Sequence, residues 1–540
     1  MLHMHKAHDP AEKKAAMKND PQAPVMEALS DPRNHGLMPD VVVERIDTHA
    51  AALFLAGDRA YKLKKNVTFP FLDYGSLAKR LEACQAEVRL NRRTAPHLYL
   101  GVGGVMRGPD GGLHLIQNAP VAGDGGPAPD VMDYVVTMAR FPQEALLDRM
   151  AAAGHLDGAV MTDLADIIAS FHEAAEVRRD APGATEMAAL VAMNAGQMRQ
   201  HSLFPEAEVA YLDLLARTAL AAQADLIDRR RDAGYIRHCH GDLHLRNIVM
   251  LEGKPTPFDC IEFGDRIAVT DVLYDLAFLL MDLEHRGMRD LANILFNRYL
   301  DQTGDLAGLS LLPLFMSVRA GIRAHLTASA IAAQTDPGRA GAMQRDALAY
   351  LALATRLLRP APARLVAIGG LSGTGKTTLA RNLAPELGPA PGAVILRSDV
   401  LRKKLLGVDP QSALPEKFYA EEYSTRTYGE MAGRAGLILE GGHGVICDGV
   451  YARPAQRQAV EMVARMAGVP FAGLWLVADQ KVQIERVGRR RGDASDADAA
   501  IVRRQAAYDI GDMRWDIISA GGDPQETAAI ARRHVTGAHH

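Results

Sequence analysis

The chain has 540 residues, 48% hydrophobic and 23% charged, with a formal net charge of −4 at pH 7. That length exceeds what one hydrophobic core serves and points to roughly two to four domains of ordinary globular composition. The near-neutral balance gives no support for a surface that coats nucleic acid, though it leaves room for a local basic groove. The four cysteines, Cys84, Cys239, Cys260 and Cys447, form no Cys-x-x-Cys pair and are too widely spaced for a disulfide scaffold. No secretory leader and no uninterrupted apolar span of about 20 residues stands out, so a reducing, cytoplasmic setting without a membrane partner is expected.

Residues 1–25, with Lys13, Lys14, Lys18 and Pro21, lack an apolar period and are expected to form a disordered tail. Strands are then predicted at Val41-Val42-Val43, at Ala52 to Leu55 and at Ala60 to Lys64, with Ala56-Gly57-Asp58 as the turn before the last. A helix is predicted over 77–93 from the stripe Leu77, Leu81, Cys84, Val88 and Leu90. A strand at Tyr134-Val135-Val136 precedes several alanine- and leucine-rich helices over roughly 143–230. A further helical block runs from about 271 to 358 and is stopped by Arg359-Pro360-Ala361-Pro362-Ala363, two prolines in three residues. The expected division is therefore a first domain over 26–358, a linker over 359–363 and a second domain over 364–540.

Two stretches carry chemistry. Phosphoryl transfer needs an oriented hydroxyl, neutralised phosphates and oxygen ligands for a metal. In His238-Cys239-His240-Gly241-Asp242-Leu243-His244-Leu245-Arg246-Asn247, Asp242 can orient an acceptor hydroxyl and take its proton, and Asn247 offers an oxygen to Mg²⁺. A strand at Ile248-Val249-Met250 and a turn at Gly253-Lys254-Pro255 then return the chain to Asp259, a carboxylate placed to bridge metal and ATP phosphates. Upstream, Lys62 and Lys64 share one face of a strand because they are two apart. Lys62 is the preferred phosphate contact with Lys64 in competition, and Glu87 is placed to hold the lysine through a charged pair. The histidines and Cys239 lack partners at zinc-site spacing.

These residues resemble the aminoglycoside phosphotransferase and choline kinase superfamily over roughly residues 30–355, and in particular a bacterial branch marked by Ala60-Tyr61-Lys62-Leu63-Lys64-Lys65 and Asn91-Arg92-Arg93. The resemblance implies an α+β, protein-kinase-like fold, a catalytic Asp242, and metal binding by Asn247 and Asp259. In Phe258-Asp259-Cys260-Ile261-Glu262-Phe263 a cysteine stands where the family pattern has an aromatic, which leaves open whether Asp259 acts alone or with Glu262. Asp275 is expected to support the loop. No glycine-rich phosphate loop is evident over 43–57, so a kinase-like domain that binds ATP without transferring phosphate stays an alternative.

The second stretch is Gly370-Leu371-Ser372-Gly373-Thr374-Gly375-Lys376-Thr377, between the apolar strand Leu365-Val366-Ala367-Ile368 and a helix opening at Thr378. Gly370, Gly373 and Gly375 let backbone N–H groups curl around phosphate at a helix terminus. Lys376 reaches the β and γ phosphates, Thr377 carries Mg²⁺, and Thr378 adjoins the nucleotide. The strand Val394 to Asp399 is expected to put Asp399 at its carboxyl end, where ligands of open α/β sheets bind, with Arg402 three residues on. Val445-Ile446-Cys447-Asp448 supplies a second carboxylate, Asp448, for metal or water, and Leu474 to Val477 a further strand. Arg486, Arg489, Arg490 and Arg491, followed by Asp493, Ser495 and Asp496, read as a lid; Arg486 and Arg490 are four apart and share a helix face.

This half, roughly 364–535, resembles small P-loop kinases grouped with gluconate kinase, chloramphenicol phosphotransferase, polynucleotide 5′-kinase and zeta-type toxins. The resemblance implies an α/β P-loop hydrolase fold with Asp399 as base, Arg402 as substrate-side clamp, and Arg486 and Arg490 as lid residues. Taken together, the two stretches predict a bifunctional ATP- and Mg²⁺-dependent phosphotransferase acting on hydroxyl groups of small molecules. The alternative is a polynucleotide or sugar-nucleotide kinase regulated by a degenerate first domain. Nucleic acid is the less favoured acceptor, since the chain holds only two tryptophans and a short basic run.

Overall fold

The computed structural model describes residues 20–69, 72–409, 412–489 and 494–536. These fall into two compact units, one running to Leu156 and adding Ser170–Arg178 and Ile236–Asp275, the other holding Asp157–Ala169, Arg179–Tyr235 and everything from Leu276 onward.

The first unit is built on a six-stranded antiparallel sheet of order β1-β2-β3-β8-β6-β7. Its strands are β1 (Glu44–Asp47), β2 (Ala51–Ala56), β3 (Arg59–Lys64), β6 (Tyr99–Arg107), β7 (Leu113–Ile116) and β8 (Val131–Ala139), with the short pair β4 (Thr68–Phe69) and β5 (Leu72–Asp73) between. Alternation sorts its side chains. Phe54, Tyr61, Leu63 and Val135 pack with Val25 and Leu29 of the helix Ala23–Ser30 on one face. Ala60, Tyr134 and Val136 pack with Leu81, Cys84 and Val88 of the helix Leu77–Asn91 on the other. Lys62 and Lys64 are in phase with Ala60 and so point to the face that carries this second helix. Ser76 caps it, its hydroxyl accepting from Lys79 N–H.

Three sequence expectations shift here. The strand expected at Val41 to Val43 begins instead at Glu44, and Val42 is 84% exposed. The tight turn at Thr48–Ala50 pairs Glu44 with Leu55 and Asp47 with Ala52, so the pairing falls on an exposed, charged edge segment that has no apolar alternation to betray it. Within the tail expected over 1–25, residues 20–25 are ordered: Gln22 is buried, and its amide donates to Lys64 O (2.9 Å) and Asp133 Oδ2 (2.6 Å). Residues 1–19 lie outside the described residues. The turn expected at Gly253-Lys254-Pro255 is Glu252-Gly253, with Lys254 already in a strand.

The segment that holds Asp242 and Asn247 follows β9 (Ile236–His238) and leads into the antiparallel pair β10 (Ile248–Leu251) and β11 (Lys254–Pro257), with β12 (Val269–Asp271) returning beside β9. Asp275, fully buried, accepts from Gly241 N–H (2.8 Å) and His240 N–H (3.1 Å) and lies 3.1 Å from His172 Nε2. Its two oxygens fix the loop backbone just ahead of Asp242.

The second unit joins a helical part to a parallel sheet. Its helices include Ala184–Met198, Glu206–Asp232, Arg289–Thr303, Leu312–Ile331 and Pro337–Leu357. The sheet has order β14-β15-β13-β16-β17, formed by β13 (Leu365–Gly370), β14 (Val394–Arg397), β15 (Val445–Asp448), β16 (Phe471–Val477) and β17 (Asp516–Ser519). β13 and β15 are buried along their whole length, which is why both read as unbroken apolar runs. The strand expected to reach Asp399 stops at Arg397, and Asp399 lies in the first turn of the helix Ser398–Leu405. The chain is thus an antiparallel-sheet lobe and a helical lobe of kinase-like α+β type, followed by a parallel α/β P-loop fold. Among the described residues no helix is long and apolar enough to cross a membrane.

Replacing Asp275 with alanine leaves two buried loop amides without their acceptor. It should lower stability by about 3 kcal/mol, read as a drop in the thermal midpoint, with Asp275→Asn costing less because one amide keeps an acceptor.

Candidate active sites

In the first unit Lys62 Nζ donates to Glu87 Oε1 (2.8 Å) and Asp259 Oδ1 (2.6 Å). Lys64, 1% exposed, pairs with the other Glu87 oxygen and with Glu262. Both lysines therefore converge on one buried carboxylate. Burial alone would lower the Lys62 ammonium, but Asp259, Glu87 and Glu262 hold it well above its ordinary value. Lys64 is likewise held up by Glu262 and Glu87 against its own burial. Only Lys62 has Asp259 as a partner. Glu262 also accepts from the Tyr74 hydroxyl (2.6 Å), so its carboxylate serves as a counterion to Lys64 beneath the site.

Asp259 adopts a left-handed backbone (φ 60°), with its N–H donating to the Tyr99 hydroxyl oxygen (3.1 Å). Asn247 Nδ2 donates to Asp242 Oδ2 (2.8 Å) and to Asp242 O (3.0 Å), which turns the amide oxygen away from that carboxylate. His244 Nε2 stands 3.4 Å from Asp242 Oδ2. The Asn91-Arg92-Arg93 run ties this loop to the helix. Cys260 N–H donates to Asn91 Oδ1 (2.7 Å), and Arg93 donates to His238 O (2.7 Å), Cys239 O (3.2 Å) and Cys260 Sγ (3.2 Å). The position where an aromatic was expected thus holds a buried thiol under a guanidinium, and burial pushes that thiol up to about 12. Cys239 groups with His172 and Asp275, ligand atoms within 4.8 Å of one another, but both Asp275 oxygens already bind loop amides.

In the second unit the P-loop glycines are required by geometry. Gly370, Gly373 and Gly375 have φ of 136°, 82° and 96°. A Cβ on Gly373 would lie 2.6 Å from Gln483 O, and one on Gly370 2.7 Å from Leu476 O. Lys376 Nζ donates to Leu371 O (3.0 Å), curling over the loop. Thr377 Oγ1 donates to Asp448 Oδ2 (2.6 Å), bringing the P-loop hydroxyl and the β15 carboxylate together. Thr378 is exposed on the same helix. An all-oxygen donor pair beside a glycine cradle suits Mg²⁺ and nucleotide phosphates.

Asp399 is part-buried, and burial pushes its carboxyl up. Arg397 and Lys376 oppose that shift, Asp448 adds to it, and the Ser495 hydroxyl bonds the charged form. Arg402 is buried, donating to Phe418 O (3.0 Å) with its guanidinium 5.0 Å from the Tyr419 ring centroid. Asp496 accepts from Lys403 Nζ (2.8 Å), Tyr419 hydroxyl (2.6 Å) and Leu414 N–H (3.0 Å), a fixed post next to Arg402. Arg486 donates to Ala520 O (2.7 Å) and Gly522 O (3.2 Å), and a Cβ on Gly375 would lie 3.6 Å from it. Arg489 faces solvent and pairs with Glu485. Arg490, Arg491 and Asp493 lie outside the described residues.

Some contributors were missed in the sequence. Arg397 lies 3.8 Å from Asp448 Oδ2 and electrostatically faces Asp399; a basic residue closing the strand before Asp399 was the available signal. Gln505, which accepts from Ser372 N–H in the P-loop (2.7 Å), and Lys403, buried at 0% exposure, gave no local signal.

Residues 81–312 match the model of the phosphotransferase enzyme family, and residues 365–508 match that of an AAA domain. The uncharacterized protein Rv2004c of Mycobacterium tuberculosis is 30% identical over 514 residues, covering 93% of this chain and 97% of its own length. Among solved structures, Plasmodium vivax ethanolamine kinase is 12% identical, covering 65% of this chain and 95% of its own, with a TM-score of 0.37. A gluconokinase from Sinorhizobium meliloti is 18% identical, covering 33% and 91%, with a TM-score of 0.24. These two stand as distant likenesses and carry nothing about substrate. The full-length match is of another order: this chain belongs to the family of Rv2004c, with a phosphotransferase-enzyme domain followed by an AAA-type P-loop domain.

Proposed function

We propose that the chain is a bifunctional ATP-dependent phosphotransferase, with one hydroxyl-directed kinase site over 26–358 and a second over 364–540. The observations that support this most are Lys62 on Asp259 and Asn247 on Asp242 in the first half, and Thr377 on Asp448 with Lys376 acting on Asp399 in the second. Mg²⁺ bound with ATP supplies neutralisation of the phosphates. Asn247 and Asp259 would hold it in the first half, Thr377 and Asp448 in the second.

In the first half Asp242 orients the acceptor hydroxyl and takes its proton, with Asn247 and His244 fixing the carboxylate. Lys62 turns from Asp259 toward phosphate oxygen, while Lys64 and Glu262 keep the segment below in place. In the second half the P-loop amides, Gly370 to Gly375, and Lys376 receive the phosphates, Asp399 takes the acceptor proton, and Arg402 clamps the acceptor. Arg486 and Arg490 are its lid residues. The raised Asp399 carboxyl suits a base that works nearer neutrality than an ordinary aspartate. Small P-loop kinases of the gluconate kinase and polynucleotide kinase type are the model for this half.

A second reading makes the first domain an ATP-dependent regulator. It is favoured by the β1–β2 turn, Thr48-His49-Ala50, which contains no glycine to approach phosphate.

The two readings separate when γ-phosphate transfer from ATP into fractionated metabolites is followed with Asp242→Asn and Asp399→Asn proteins. Two products, each falling by about 10²–10⁴-fold in one variant only, are expected for two kinase sites. A single product that survives Asp242→Asn and vanishes with Asp399→Asn would make the first domain regulatory.

The pH profile tests the base in the second domain. Because Asp399 must be ionised, the rate falls as pH drops through its raised pKa. Arg397→Met removes a cation that favours the ionised form, so the acid limb of kcat/KM should move to higher pH. A limb that stays put or moves to lower pH argues against Asp399.

A further inference from the structure

The sheet of the P-loop domain ends at β14, and the strand leads directly into Asp399. On its inner side β14 pairs in parallel with β15, and Val394 N–H donates to Gly444 O (2.9 Å). Backbone groups alternate along a strand, so Ala393 C=O and Ile395 N–H point outward from the sheet. An outward edge of this kind is normally open to solvent or to another strand.

Here it is filled by side chains from the helix Arg289–Thr303, roughly a hundred residues earlier in the chain. Ile395 N–H donates to Asn297 Oδ1 (2.7 Å), and Asn297 Nδ2 donates to Ala393 O (3.1 Å). One amide thus supplies the acceptor and the donor that a neighbouring strand would present. Asn293, 2% exposed, donates from Nδ2 to Ala393 O (3.1 Å) and Pro391 O (3.2 Å). A Cβ on Gly392 would sit 2.8 Å from that nitrogen, so the backbone is brought close. Farther out, Lys404 of the Asp399 helix bonds Asp301 O, Arg289 donates to Gly388 O (3.2 Å), and the buried His443 ring lies 3.1 Å from Leu309 O. The amide orientation of Asn297 is set by its partners, since an N–H can meet only the oxygen and a carbonyl only the nitrogen.

We infer that Asn293 and Asn297, carried by the kinase-like domain, complete the edge of the P-loop sheet and are positioning residues for Asp399. The acceptor side of the second site is then built jointly by both domains. This rests on the reading of Asp399 as the base. The nucleotide side needs no such help, because Thr377 meets Asp448 entirely within the P-loop domain.

The test uses the full chain with the first site silenced by Asp242→Asn, and compares Asn297→Leu and Asn297→Asp. Asn297→Asp keeps the volume and the acceptor for Ile395 N–H but sets an oxygen against Ala393 O. Turnover of Mg²⁺–ATP is measured alongside hydrogen exchange at single amides. Both variants should lower kcat by roughly tenfold or more with KM for ATP little changed, since misplacing a reacting group costs rate while phosphate binding is kept. Exchange at Ile395 should rise by about tenfold or more in Asn297→Leu, with Val394, which bonds Gly444 O on the inner side, unaffected. Unchanged kcat despite lost Ile395 protection overturns the positioning role, as does a loss of kcat matched by a loss of ATP affinity or by exchange rising across the whole sheet. Asp399→Asn in the same background tests the underlying reading separately. Turnover that survives it overturns Asp399 as base, and Ile395 protection unaltered in Asn297→Leu then overturns the edge contact itself.

Discussion

A charge taken out of water must meet an opposite charge or a fixed dipole, and both candidate sites are organised around that requirement. In the first, two lysines and three carboxylates form one chain of contacts, from Asp259 through Lys62 and Glu87 to Lys64 and Glu262. The inner part is closed off, since Lys64 and Glu87 are almost fully buried. The outer part opens only at Asp259, 42% of whose side chain is exposed against 15% for Lys62. Asp259 and the lysine bound to it can therefore be reached without disturbing the pair beneath them. The second site divides the work differently. Its phosphate-facing loop is made of backbone, and the charges of Arg397, Asp448 and Lys376 lie close enough to act on the Asp399 carboxyl.

How much of this was legible in the sequence depends on distance along the chain. The P-loop is contiguous, its strand, glycines and helix are spelled in order, and nothing about it needed the fold. Asp242 and Asn247 are likewise five apart in one loop. Lys62 and Asp259 are 197 residues apart, and only a family resemblance could set them in one site before the sheet placed β3 against the helix carrying Glu87. The choice between Lys62 and Lys64 was beyond the pattern, because strand alternation puts both on one face. It took the burial of Glu262 to give Lys64 a partner of its own.

The misreadings have physical causes too. Val41 to Val43 is the most strand-like run near the start by composition, yet the hairpin turn sets the pairing at Glu44 to Asp47, where no apolar face exists to be read. Asp399 was placed at a strand end because Val394 to Leu396 is apolar, whereas Arg397 ends the pairing and the helix starts at once. Asn293 and Asn297 look like ordinary polar positions on a helix face. Their partners Ala393 and Ile395 lie about a hundred residues further on, so no local pattern shows the contact.

That edge changes how the domain order is understood. The segment between the helix Pro337–Leu357 and β13 is only a few residues long and could be taken for a simple tether between independent enzymes. The asparagine contacts say otherwise, because they are made to the strand that leads to Asp399, and none of them is made to the P-loop, Thr377 or Asp448. On the positioning role inferred for the asparagines, a displacement of the helix Arg289–Thr303 reaches Asp399 through β14 first, with no direct contact to the P-loop backbone. If Asp399 is the base proposed above, coupling of that form acts on the transfer step more than on ATP binding, since only the state with a placed base gains from the contact.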